Sequence, residues 1–165
     1  MKKFSKWFGT ITCALVVVLS GVLMTACSAK PYDVKGVTFN AKADCFVVWG
    51  EEATQRDKDY LYEDFEATND AELEASIEAG EAGQHFGGFT FTFNEDGLCI
   101  VSYAEGEETF YYVQSEDLKN IKLYDNAEHT GYVDFELDFV DGEFAFNASA
   151  GGDADVAIYF VLEQA

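Results

Sequence analysis

Basic residues are scarce in this chain: 10 Lys and Arg stand against 31 Asp and Glu over 165 residues. Lys2, Lys3 and Lys6 precede every acidic residue, so beyond position 26 only 7 basic side chains oppose all 31 acidic ones, a net charge of about −24. A phosphate backbone requires a basic face, and this composition cannot assemble one, so nucleic acid is excluded as a partner. Proline occurs once, at Pro31, and no Gly-rich or Ser-rich stretch divides the chain, which argues for one domain. Histidine occurs twice, at His85 and His129, in neither a His-x-x-x-His nor a Glu-x-x-His spacing. With so few nitrogen donors no zinc site is expected, and each His is read as a loop residue. A Gly-x-Ser-x-Gly elbow is absent, and so is an Asp-x-Asp-x-Asp-Gly loop. Neither a serine hydrolase nor an EF-hand is therefore expected.

Acidic residues are missing altogether from the first 26 positions, and that segment has its own pattern. Met1 to Lys6 is cationic, Ile11 to Met24 is almost purely apolar, and Thr25-Ala26-Cys27 ends it in small residues. This is the layout of a secretory signal peptide over residues 1–26. The apolar run is shorter than the roughly 20 residues a membrane-spanning helix needs, and no basic stop-transfer cluster follows it. The run Leu23-Met24-Thr25-Ala26-Cys27 resembles the lipobox of bacterial lipoproteins. That resemblance implies that Cys27 carries diacylglycerol and anchors the protein to the outer face of the bacterial cell membrane. Cleavage after Ala29, releasing a soluble protein, is the alternative. Residues 27–35 are expected to be a tether, and residues 36–165 the domain.

What the mature chain has in abundance is apolar alternation. Of its Phe, Tyr and Trp residues, 23 lie beyond position 26. Residues 37–49 are rich in β-branched and aromatic side chains and predict a long strand, or two short ones broken near Asp44. Thr54 with Asp57, and Asn69 with Glu72, are capping signatures. Leu61 and Phe65, then Leu73 and Ile77, give pairs four apart. Two short helices are expected over 55–66 and 70–79, the second stopped by Gly80.

From Phe89 onward the period becomes two. Strands are predicted at 89–93, 98–103, 109–114, 120–124, 133–139, 143–147 and 155–163, with Asp96-Gly97 and Asp141-Gly142 as tight turns. Val133, Phe135, Leu137 and Phe139 alternate with Asp134, Glu136 and Asp138, which requires one buried face and one wet face. The fold class is mainly β: an antiparallel meander closing into a barrel of about eight strands, because closure removes the edges that an open meander exposes. A β-sandwich is the alternative. The order of one strand, two acidic helices and then Phe91-Thr92-Phe93-Asn94-Glu95-Asp96-Gly97 opening a meander resembles the small lipocalin-like lipoproteins of Gram-positive bacteria. This family supplies no catalytic residues to carry over.

Cys45 and Cys99 remain beyond Cys27, and an even pair outside the cytoplasm invites a disulfide, with two buried thiols as the alternative. Clusters such as Glu105 to Glu108 and Asp153 to Asp155 raise calcium, but a solvated acidic face is the simpler reading. With this many carboxylates no glycosidase pair stands out. No catalytic, metal or cofactor residues are assigned. Inward Phe residues at 89, 91, 93, 135, 139, 144 and 146 favour a filled barrel, while Tyr103, Tyr111, Tyr112 and Tyr124 are candidates to line an opening. The expected function is a noncatalytic, membrane-tethered binding module for a small apolar ligand or a protein partner. The alternative is a structural or envelope-interaction protein with a packed barrel and no ligand.

Overall fold

The computed structural model describes residues 29–148 and 156–165. The elements, in order, are β1 (Thr38–Trp49), α1 (Gln55–Asp64), α2 (Asp70–Ala79), α3 (Glu81–Phe86), β2 (Thr90–Phe93), β3 (Leu98–Tyr103), β4 (Gly106–Gln114), β5 (Asn120–Tyr124), β6 (Phe135–Val140), β7 (Glu143–Asn147) and β8 (Val156–Gln164). Each strand pairs antiparallel with its neighbours in sequence, and β8 returns to β1, so the sheet is a closed barrel of eight strands. The sandwich alternative falls away. A third helix, α3, stands where a loop was expected. It spans only six residues, too few to show an apolar period, and Gly83 at its centre offsets the helix propensity of Glu81, Ala82 and Gln84.

Local chemistry sets the turns. Asp141 and Gly142 both have left-handed backbones, at φ 52° and 99°, as a two-residue hairpin between β6 and β7 requires. At the β2–β3 turn only Gly97 does, at φ 88°, so that connection is longer than a two-residue turn. In α1 the Asp57 carboxylate accepts from the Thr54 backbone N–H (2.7 Å) and hydroxyl (2.6 Å). Before α2, Asn69 accepts from the Glu72 N–H at 3.1 Å, and the Glu72 carboxylate reaches back to the Thr68 N–H and hydroxyl. These bonds satisfy N–H groups that a helix start leaves without partners.

β1 is longer than its partner on one side. It pairs with β2 only from Thr38 to Asn40, whereas β8 accompanies it to Trp49 through an irregularity in which Ala41 to Cys45 oppose only Leu162 to Phe160. The β2-side edge beyond Ala41 is covered by α2. The Glu78 carboxylate accepts from the Cys45 N–H at 3.0 Å, and the Glu74 carboxylate accepts from the Val47 N–H at 2.9 Å. Side chains thus replace a missing strand, which removes the cost of orphaned backbone donors. Leu73 and Ile77, on the same helix, are buried in the barrel core. That core is lined by alternate residues of every strand, including Phe39, Phe91, Phe93, Phe144 and Phe160, all nearly inaccessible to solvent. Leu137 is fully buried, and Phe135 and Phe139 pack against the same cluster, so β6 turns its apolar residues inward as its alternation predicts.

The compact unit begins at Pro31, so the expected tether is partly structured. Val34 is fully buried, and the Tyr32 ring meets Phe144 edge-on at 5.5 Å. Gln114 holds this strap: its amide nitrogen donates to the Tyr32 carbonyl at 2.8 Å, and its oxygen accepts from the Val34 N–H at 3.2 Å.

Candidate functional site

Aromatic rings fill the barrel interior. Phe91 on β2 meets Phe135 on β6 at 6.0 Å between ring centroids and Phe146 on β7 at 5.4 Å. Phe39 on β1 meets Phe144 on β7 at 5.6 Å, and Phe110 on β4 meets Phe135 at 5.2 Å. Strands two and six lie on opposite sides of an eight-stranded barrel, so ring contact between them spans the lumen. At one mouth Phe86, the last residue of α3, packs on Phe89, Phe146 and Phe160.

The four tyrosines considered for an opening divide by parity. Tyr112 is buried and donates to the Asn94 carbonyl at 3.1 Å, and Tyr103 packs its ring on Phe89 while its hydroxyl donates to Glu108 at 2.8 Å. Tyr111 and Tyr124 line no opening. They are directly opposed on β4 and β5, one residue out of phase with the inward-facing Phe110, Tyr112 and Leu123, and so face outward. Their aromatic content alone did not show which side of the strand they take.

The expected disulfide is not formed: Cys45 and Cys99 are both free and buried. Cys99 pairs with Phe93 on β2, level with the start of β1 at Val37 and Thr38, whereas Cys45 lies well along β1 beyond its β2-paired part. That offset, on the order of 20 Å at about 3.3 Å per residue, far exceeds the Cα separation of up to about 7 Å that a disulfide bridges. The Cys45 Sγ lies 3.6 Å from the Glu74 carbonyl oxygen. Burial, then the Glu78, Glu74 and Asp44 carboxylates, push its thiol up to about 12. Burial raises Cys99 as well. Neither is poised as a nucleophile. Cys27, the expected lipid acceptor, lies outside the described residues, as do Asp153 and Asp155.

The alternating carboxylates of β6 form a bonded network on the outer wall. The Asn120 side-chain amide donates to Glu136 (2.8 Å) and Asp138 (2.7 Å), and Lys122 pairs with Glu136 at 3.4 Å. The Tyr159 hydroxyl donates to Asp138 at 2.9 Å; burial and that carboxylate raise the Tyr159 pKa. Both carboxylates are therefore taken up in bonds that tie β5, β6 and β8 together on the outer wall. Asp134 differs. Its Oδ2 is buried without a hydrogen bond, and desolvation, then the nearby Asp125, push its carboxyl above the usual range.

A second carboxylate, Asp70, accepts from Trp49 Nε1 at 2.9 Å and from the Tyr62 hydroxyl at 2.7 Å, fastening α1 and α2 to the end of β1. Lys58 sits 5.0 Å over the Trp49 ring. An open groove of about 560 Å³ runs between α1 and α2, lined by Asp64, Phe65, Glu66, Glu72, Ser76 and Gly80. Among the described residues no three His, Cys, Asp or Glu side chains converge as metal ligands, and no helix is long and apolar enough to cross a membrane.

No protein-family model, curated protein or solved structure matches the chain. The fold and its surfaces therefore carry the functional argument alone.

Proposed function

We propose that the protein is an extracytoplasmic lipoprotein, anchored through Cys27 to the outer face of the bacterial cell membrane. Its lipocalin-like barrel is a noncatalytic scaffold that presents its outer wall to a protein partner. The observation that carries the scaffold reading is the Phe91–Phe135 contact across the lumen. Rings from opposite walls occupy the space in which a small apolar ligand would otherwise lie, leaving the outer wall and the loops to do the recognising. The signal-peptide layout and the run ending at Cys27 support the anchor. Physically, a diacylglycerol provides the two chains that stable anchoring takes.

Two measurements test this reading. Metabolic labelling with an alkyne fatty acid should mark the full chain, and Cys27→Ser should abolish the mark and release the protein from the membrane fraction. Label retained by the variant removes the anchor from the proposal. Titration of the purified protein with a fluorescent fatty acid should show no saturable binding; a saturable single site would replace the packed scaffold with a ligand carrier.

A further inference from the structure

The outer wall is not uniformly charged. On β4, Tyr111 is 37% exposed and Val113 41% exposed, and both face solvent on the same side of the strand. Tyr111 is directly opposed to Leu98 on β3 and to Tyr124 on β5, so an apolar row crosses three strands. Ile100 extends the face beside Leu98, being two residues further along the same strand. The loop after β5 adds His129, whose ring lies 5.7 Å from Tyr124 and 6.4 Å from Tyr111.

That loop is built to hold the histidine there. The Asn126 side chain donates to the Thr130 carbonyl at 2.8 Å and accepts from the Thr130 N–H at 3.2 Å. His129 between them takes a left-handed backbone, φ 51°, which is uncommon for a residue with a side chain. The result is a preformed aromatic face, in which side chains of low conformational entropy offer a large contact area.

The rim of this face is acidic. Glu107 stands on the same side of β4, Asp125 and Glu128 flank the histidine loop, and Glu95 and Asp96 lie in the β2–β3 turn beside Leu98; all are exposed. The neighbouring cation, Lys122, is already engaged by Glu136. A second copy of this chain would bring a like charge of about −24 against the same rim, and anionic lipid is repelled for the same reason.

Building on the scaffold reading, we infer that the outer face of β3–β5, centred on Tyr111, Val113 and Tyr124, docks a basic protein segment. Such a segment sets apolar side chains on the tyrosines and Lys or Arg on the rim. The guanidinium or ammonium groups gain the carboxylates as partners and the tyrosine faces as cation–π acceptors. Interfaces of this anatomy carry their affinity in a central aromatic cluster and their specificity in the charged rim.

A photoreactive phenylalanine analogue introduced into the full chain, in the cells that make it, tests the assignment. Placed at Tyr111 it should give a crosslink to one protein through a Lys/Arg-rich segment, and Val113→Lys, which removes the apolar contact and adds a like charge, should abolish that crosslink without changing the melting temperature. Placed at Tyr60 on α1 or Val48 on β1, both exposed but on other faces, it should give none. Crosslinks from Tyr60 or Val48 and none from Tyr111 overturn this surface while leaving the scaffold reading intact. Absence of a crosslink at all three positions overturns both. In vitro, a peptide of alternating Lys and Phe should bind the purified full chain and lose about tenfold or more on Val113→Ser/Tyr111→Ser, which removes the apolar contacts without altering the charge. Equal affinity for a Lys–Ser peptide, or for a Glu–Phe peptide, overturns the proposal by reducing it to charge alone or to apolar adhesion alone.

Discussion

Phe91 and Phe135 belong to strands on opposite sides of the barrel, yet their rings stand 6.0 Å apart and nearly perpendicular, at 78°. This edge-to-face contact makes the interior one continuous solid rather than two lined walls. Phe91 is fully buried and also touches Phe89 and Phe146, so nothing can collapse easily into its place. Phe91→Ala is expected to cost about 3–5 kcal/mol, measured by urea denaturation. The same variant should gain saturable binding of a small aromatic such as indole, which the wild type lacks, because the cavity is apolar and dry.

Both thiols should be inert in the native protein. Cys45 is pushed up to about 12 and Cys99 is raised by burial, so the thiolate fraction at neutral pH is negligible. A thiol reagent applied to the Cys27→Ser protein should modify neither residue in the folded state and both in denaturant. A mass two hydrogens lower before reduction, fully restored by reductant, would show a disulfide that the offset of Cys45 from Cys99 along the barrel wall forbids.

Glu74 and Glu78 do the work of a neighbouring strand at the bare edge of β1. Replacing Glu74 by Leu removes the acceptor from the Val47 N–H and leaves a partly buried donor without a partner, at about 1–3 kcal/mol. Glu74→Gln keeps an oxygen in reach and should cost far less. Hydrogen exchange at Val47 should quicken in the Leu variant and remain near wild type in the Gln variant. Equal exchange in both would mean that the carboxylate is not what protects this edge.

These elements also mark where sequence reasoning succeeded and where it stopped. The alternation of Phe135, Leu137 and Phe139 with Asp134, Glu136 and Asp138 fixes which side of β6 is buried, and Asp141-Gly142 fixes the turn that follows. Both signals are local: a period of two and a pair of residues that tolerate positive φ. What escaped is set by residues far apart in the chain. Glu74 and Glu78 look like a solvated acidic face until β1 is known to outrun β2, and Val34 looks like tether until Gln114 is known to bind its backbone. Cys45 and Cys99 looked like a pair because only their number and compartment could be read; their offset along the wall is set by the register of β1, β2 and β3. The aromatic face at Tyr111 and Tyr124 was visible as composition, but its outward direction depends on the phase of β4.

Acid should weaken the helical side of the protein first. Hydrogen bonds from Tyr62 and Trp49 lower the Asp70 carboxyl below its ordinary value of 3.8, and bonds from Thr54 and Thr68 lower Asp57 and Glu72. A carboxylate with a depressed folded pKa contributes stability that is fully present above its unfolded pKa and is lost as pH falls through the folded value. Stability should therefore decline from about pH 5 downward, and Asp70→Asn should flatten that slope. Asp134 carries the opposite sign: its raised carboxyl costs stability above the folded pKa, and the cost is relieved on protonation. Asp134→Asn should raise the urea midpoint at pH 7 and change it little at pH 3. A lowered midpoint at pH 7 would contradict the buried, unpartnered Oδ2.

Two adjacent glycines after α3 should respond very differently to the same change. A Cβ on Gly87 would stand 2.8 Å from the backbone nitrogen of Ala43 and 2.6 Å from the Gly83 carbonyl oxygen, and neither atom can move without displacing β1 or the helix. At Gly88 the nearest atoms are carbonyl oxygens at 3.5 and 3.8 Å, ordinary contact distances. Neither residue has a positive φ, so backbone strain does not distinguish them. Gly87→Ala is expected to cost about 1–3 kcal/mol through overpacking, whereas Gly88→Ala should be neutral or slightly stabilising by restricting the unfolded chain. Because α3 carries Phe86 into the mouth of the barrel, the Gly87 variant should also speed hydrogen exchange in α3 and raise the fluorescence of an added hydrophobic dye. Equal melting temperatures for the two variants would mean that α3 does not sit against β1 at Ala43.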